Sequence, residues 1–74
     1  MLIAIRLNAG NDVNGNPRRA FVVMDSLGIV EVIDEGYEGY NAVWKEYPDI
    51  SVVATFMVKP KEYRDRLKEK RRVR

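Results

Sequence analysis

Two spacings of apolar residues alternate along the chain. Residues 2 to 9 set Ile3, Ile5 and Leu7 on one side and Ala4, Arg6 and Asn8 on the other, which predicts a half-buried strand. Residues 20 to 25 and 28 to 34, AFVVMD and GIVEVID, are rich in β-branched side chains. Ser26 and Leu27 separate them and Gly28 can take positive φ, so the pair predicts a hairpin. The spacing then lengthens: Tyr40, Val43, Trp44 and Tyr47 fall at i, i+3, i+4 and i+7, a short amphipathic helix stopped by Pro48. Residues 50 to 58 return to alternation, with Ile50, Val52, Ala54, Phe56 and Val58 in register as a fourth strand. Pro60 suits a first helical position, Glu62 follows in the first turn, and Tyr63 and Leu67 share a face; a terminal helix is expected from about residue 60, fraying toward Arg74.

The resulting order, βββαβα, predicts one α+β domain over residues 1 to 74, with residues 60 to 74 as a basic helical tail. The expected sheet is four-stranded and mainly antiparallel, with one helix packed on a face and a basic C-terminal helix. Trp44, Tyr40, Phe56 and the isoleucines are the expected core. Val22, Met24, Ile29, Ile33, Val53 and Met57 cannot all meet one helix, because side chains alternate across a strand. Several of them are therefore expected to meet a second copy of the chain. Size argues the same way, since a domain this short buries only about 60% of its unfolded surface and gains from self-association. The stretch GNDVNGNPRR, residues 10 to 19, gathers turn-forming residues and predicts an exposed loop.

Composition narrows the chemistry. The 74 residues are 46% hydrophobic and 32% charged, which fits a soluble globular domain rather than a disordered or membrane chain. There is no cysteine and no histidine, so the usual zinc, iron–sulfur and haem ligand sets are missing and disulfides are impossible. No cofactor is expected, and an intracellular, cytoplasmic location is the default. The opening MLIAIRLNAG has an arginine early and no long apolar run, so it reads as neither signal peptide nor membrane span. Ser26, Ser51 and Thr55 are the only small hydroxyls, and any general base would have to be a carboxylate, lysine or tyrosine. Catalysis is disfavoured, and the chain is read as not an enzyme.

Charge is uneven. Residues 1 to 58 carry four basic and eight acidic groups, whereas residues 59 to 74 carry nine basic and three acidic, so an acidic body precedes a basic tail within a net charge of +2. Such a helix could contact phosphates or an acidic protein surface. It could equally be a solvated helix whose long stems cover apolar surface, with Glu62 and Arg66 at an ideal i,i+4 spacing.

The loop NGNPRR, residues 14 to 19, is the leading candidate site. Asn14, Gly15 and Asn16 favour turns that aim backbone N–H groups outward, and Arg18 and Arg19 add forked donors, together a possible phosphate cradle. Adjacent strand residues face opposite ways, so only one of the two arginines is expected to face a given pocket. The structural alternative pairs them with Asp34, Glu35 or Glu38. Asp12, Asn14 and Asn16 resemble the start of a calcium loop, but Pro17 and Val23 occupy the places of its glycine and its bidentate glutamate. In IDEGYEGY, residues 33 to 40, Tyr37 is free to stack on a ring or anchor an interface, beside the alternative of a plain helix entry. Trp44 and Tyr47 read as core.

NGNPRRAFVV, IDEGYEG and KPKEYR resemble small uncharacterised proteins of phages and bacterial mobile elements, over residues 6 to 67. That resemblance carries no established activity; it implies compact non-enzymatic binders, among them inhibitors of host defence and sequesterers of nucleotide signals. The leading expectation is a small homo-oligomeric binding protein that captures a phosphate-bearing ligand such as a nucleotide, using Asn14, Asn16, Arg18, Arg19 and Tyr37. One alternative is a protein-interaction module or inhibitor of a host protein. Another is nucleic-acid binding through the basic tail.

Overall fold

A computed structural model describes residues 1–35 and 39–68. Within them lie β1 (Ile3–Asn11), β2 (Pro17–Asp25), β3 (Gly28–Asp34), α1 (Ala42–Glu46), β4 (Ser51–Met57) and α2 (Pro60–Leu67). The fold is α+β, with one four-stranded sheet and two helices among the described residues. The sheet is mixed rather than mainly antiparallel. β2 pairs antiparallel with both β1 and β3, but β4 lies parallel to β1, and the spatial order is β3-β2-β1-β4 rather than the order along the chain. The parallel pair follows from the connection. The chain leaves β3 at one edge, crosses the sheet through α1, and enters the opposite edge in the direction of β1.

The loop expected over residues 10 to 19 is mostly strand. β1 runs to Asn11 and β2 begins at Pro17, paired with each other, so only residues 12 to 16 turn. Asp12 builds this turn: its carboxylate accepts from the backbone N–H groups of Asn14 (2.8 Å) and Asn16 (2.9 Å), and Gly15 supplies a φ of 82°. The β2–β3 hairpin has the same design. Leu27 N–H donates to the Asp25 carboxylate at 2.8 Å, and Gly28 takes a φ of 125°.

One residue divides the core. Ala4 pairs with Val52 but Ile5 pairs with Ala54, so Val53 is an extra residue in β4 and the side chains after it change face. The run Ile50, Val52, Ala54, Phe56, Val58 therefore does not point one way. Ile50 and Val52 join α1 in a cluster with Ala4, Phe21, Val23, Val30 and Val43, whereas Val58 joins α2 in a second cluster of Ala9, Ala20 and Tyr63. Phe21 and Ala20 are neighbours on β2, so the two helices cover opposite faces of the sheet. The expected core changes accordingly. Phe21 is its centre, with the Trp44 ring edge-on at 5.6 Å. Phe56 is 50% exposed and Tyr40 is 60% exposed. Trp44 and Tyr47 are half-buried against the first cluster, anchored by bonds from Trp44 Nε1 to the Ile50 carbonyl and from the Tyr47 hydroxyl to Glu31.

The α1 face also holds a charge. Arg6 lies beside Phe21 across the β1–β2 ladder and donates from Nε and Nη2 to both oxygens of Glu35, at 2.8 and 2.9 Å. Glu35 is only 6% exposed. The hydrogen bonds to Glu35 raise the Arg6 pKa further above its ordinary value, keeping the guanidinium charged. Tyr40 lies over the guanidinium with its ring centre 4.8 Å from Cζ, which explains why that tyrosine stays at the surface.

Removing one partner of such a pair leaves a buried, uncompensated carboxylate. Arg6→Ala is expected to lower unfolding free energy by about 3 kcal/mol in urea titration. Arg6→Lys should recover less than half of that, because a single ammonium cannot make the forked contact.

Candidate functional site

Two concave regions lie on the α2 face. The first, about 340 Å³, sits where the residue 12–16 turn meets α2, and is lined by Asp12, Asn16, Arg18, Asp34 and Tyr63 among others. It gathers two of the expected site residues, Asn16 and Arg18. Arg19 is set apart on the opposite face, facing Asn8 of β1, as the alternation of the strand requires. Asn14 is an exposed turn residue. Tyr37 lies outside the described residues, as do residues 69–74 of the expected basic tail.

Apart from Arg19, the donors expected to cradle a phosphate have partners within the chain. The amides of Asn14 and Asn16 turn inward onto Asp12, whose carboxylate sits where an external anion would. Those amide bonds, the Asn16 one foremost, hold the Asp12 carboxyl below its ordinary pKa. Arg18 donates from Nε to the Ala9 carbonyl at 3.0 Å and from Nη2 to the Asn11 carbonyl at 2.8 Å. These carbonyls lie where the β1–β2 ladder is irregular, between Asn8 and Asn11, so the guanidinium closes a gap in the sheet. Among the described residues neither Arg18 nor Arg19 forms an ion pair with Asp34 or Glu35, and Glu38 lies outside them. The partner of Glu35 is Arg6, which the sequence argument had placed on a solvent side. Its signal was the single charged residue of β1, set between the apolar Ile5 and Leu7.

Tyr63 completes this cleft. Its hydroxyl donates to Asp34 at 2.9 Å, and burial first, then Asp34, pushes its pKa well above that of an ordinary phenol. The cleft thus offers two carboxylates, a committed phenol and an arginine engaged by carbonyls. An incoming phosphate would face both carboxylates. Among the described residues no group of three or more carboxylates gathers to hold a metal ion, and no helix is long and apolar enough to cross a membrane.

The second region is apolar. A groove of about 350 Å³ runs between the sheet and α2, lined by Ile5, Met24, Ile29 and Phe56, with Glu62 and Arg66 on its helical wall. It opens toward β4, the outer strand. Val53, Phe56 and Met57 are 56%, 50% and 75% exposed, and Ser51–Met57 contains no charged residue. α2 packs chiefly on β1, β2 and β3, and the helices leave Val53, Phe56 and Met57 of that flank exposed. Of the six residues expected on an uncovered face, Met24 and Ile29 line the groove, Val53 and Met57 are exposed on β4, and Val22 and Ile33 are buried within the chain.

The chain matches no protein-family model, no curated protein and no solved structure. The likeness to phage and mobile-element proteins draws no support from those comparisons.

Two titrations check the cleft. A raised phenol pKa stabilises the fold fully below the unfolded value near ~10 and is lost as pH climbs above it. Tyr63→Phe should cost about 1–2 kcal/mol at pH 7 and flatten the alkaline fall in stability measured by thermal melting. For Asp12 the sign reverses: its contribution is present above the ordinary aspartate value and lost as pH drops through the lowered one. The amide shifts of Asn14 and Asn16, followed by NMR, should titrate together at a pH below ~3.9.

Proposed function

We propose that the protein is a small non-enzymatic binding module that works as a protein-interaction domain, with its binding surface on the β4 flank and the adjoining groove. The observation that carries this reading is the uncharged outer strand with Val53, Phe56 and Met57 exposed beside an apolar cleft. A contiguous apolar patch with free backbone groups along its rim is costly to leave in water and is suited to a strand or apolar side chain from a partner. An inhibitor of a host protein would use the same surface.

Capture of a phosphate-bearing ligand such as a nucleotide is the second reading, and it moves to Arg19. Its side chain forms no hydrogen bond or ion pair among the described residues, whereas that of Arg18 is engaged in the sheet. Nucleic-acid binding through the tail is a third reading and would be recognised by affinity that collapses as salt rises.

Phe56→Asp combined with Met57→Lys alters exposed positions and should leave the melting behaviour near wild type while abolishing capture of a stoichiometric partner on immobilised protein. Arg19→Ala should leave capture unchanged. The opposite pattern, with capture lost only in Arg19→Ala and melting raised by millimolar nucleotide, would transfer the function to the second reading.

A further inference from the structure

The outer edge of β4 matches itself. Asp49 and Lys59 flank the strand on either side of Ala54, both exposed, and neither side chain forms an ion pair or hydrogen bond among the described residues. We propose that the occupant of the β4 flank is a second copy of this chain, its own β4 paired antiparallel about a two-fold axis at Ala54. The inference rests on the reading of that flank as a binding surface and assigns it a partner.

The register follows from the bulge. With Val53 as the extra residue in each strand, Ala54 lies opposite Ala54, Thr55 opposite Val52, and Phe56 opposite Ser51. Each facing pair then shares a side of the sheet: Ala54, Phe56 and Ser51 are on the α2 side, and Thr55 and Val52 are on the α1 side. At both ends Asp49 of one copy comes within reach of Lys59 of the other, so opposite charges meet twice by symmetry. A parallel pairing would instead set like charges side by side. Antiparallel pairing joins the two sheets into one of eight strands and continues the apolar groove from one copy into the next. Pro48 and Pro60 bracket the strand and limit the pairing to its length. An edge contact this short is smaller than a standard interface, so the dimer should dissociate in the micromolar range.

Cysteine chemistry tests the axis directly, because the chain has none of its own. Opposed Cα atoms in an antiparallel pair stand about 4.5–5.5 Å apart, within disulfide range. Ala54→Cys should therefore form a covalent dimer under mild oxidation. Ser51→Cys should not, since its two copies would be roughly 13 Å apart. Light scattering on the wild type should give a dimer mass at 100 µM and above, on the order of the concentration such an edge contact requires. Asp49→Lys or Lys59→Asp alone should raise the dissociation constant about three- to tenfold at low salt, and the double exchange should restore it.

A monomer mass at every concentration overturns self-pairing. So does a dimer that cross-links through Ser51→Cys and not Ala54→Cys, or one indifferent to the charge exchanges. If the protein is monomeric yet captures a foreign partner through Phe56 and Met57, self-pairing fails while the interaction reading stands. If it is monomeric and the Phe56→Asp, Met57→Lys variant changes no capture, both fail.

Discussion

A four-stranded sheet has two faces and two edges, and among the described residues one helix of five residues and one of eight cover them. That shortage governs the molecule. Burial of apolar surface supplies most of the favourable free energy of folding, and each helix can shield only the strands it crosses. α1 closes one face near Phe21 and Val43; α2 closes the opposite face near Ala20 and Tyr63. The largest fully buried side chains lie on β2, with Val30 of β3 and Val43 of α1, and the outer strand β4 keeps large apolar groups in solvent. The single extra residue at Val53 allows β4 to serve both faces, since it turns Val52 toward one cluster and Phe56 toward the other side.

Charged and polar groups fill what apolar groups cannot. Arg6 sits at the limit of the α1 cluster, where Glu35 neutralises it and Tyr40 covers it. Arg18 serves the backbone, closing two carbonyls beside the irregular end of the β1–β2 ladder. Asp12 and Asp25 each satisfy turn amides. These arrangements share a physical logic: a short domain leaves many backbone groups near its surface, and side chains two to nine residues away satisfy them without needing a larger core.

Much of this was legible in the chain. Alternation located β3 at residues 28–34 and β4 within a residue at each end, and Pro60 marked the start of α2. Gly28 signalled its hairpin through the φ that only glycine adopts without strain. What escaped was non-local. Turn-forming residues at 10, 11 and 17 to 19 read as loop, yet ladder bonds with the opposing strand outweigh their local preference. Alternation cannot reveal a bulge, so the five apolar residues of the fourth strand looked one-sided. Nor can it choose between parallel and antiparallel neighbours, because both have a period of two. For the candidate site, the sequence separated Arg18 from Arg19 by strand parity, but it could not show that a carboxylate two residues before Asn14 would occupy the amide cradle.

The same reasoning fixes where a binding function can reside. A donor already engaged by its own chain must release that bond before it can hold a ligand, so the net gain from an external anion at Arg18 or at the Asp12 turn is the difference between two similar hydrogen-bond sets. An exposed apolar strand carries no such debt. Covering Val53, Phe56 and Met57 removes area from water without breaking any contact the monomer makes, and unpaired edge groups gain partners in the same step. In a domain whose polar side chains are largely occupied with holding the backbone, the β4 flank is the surface on which association costs least.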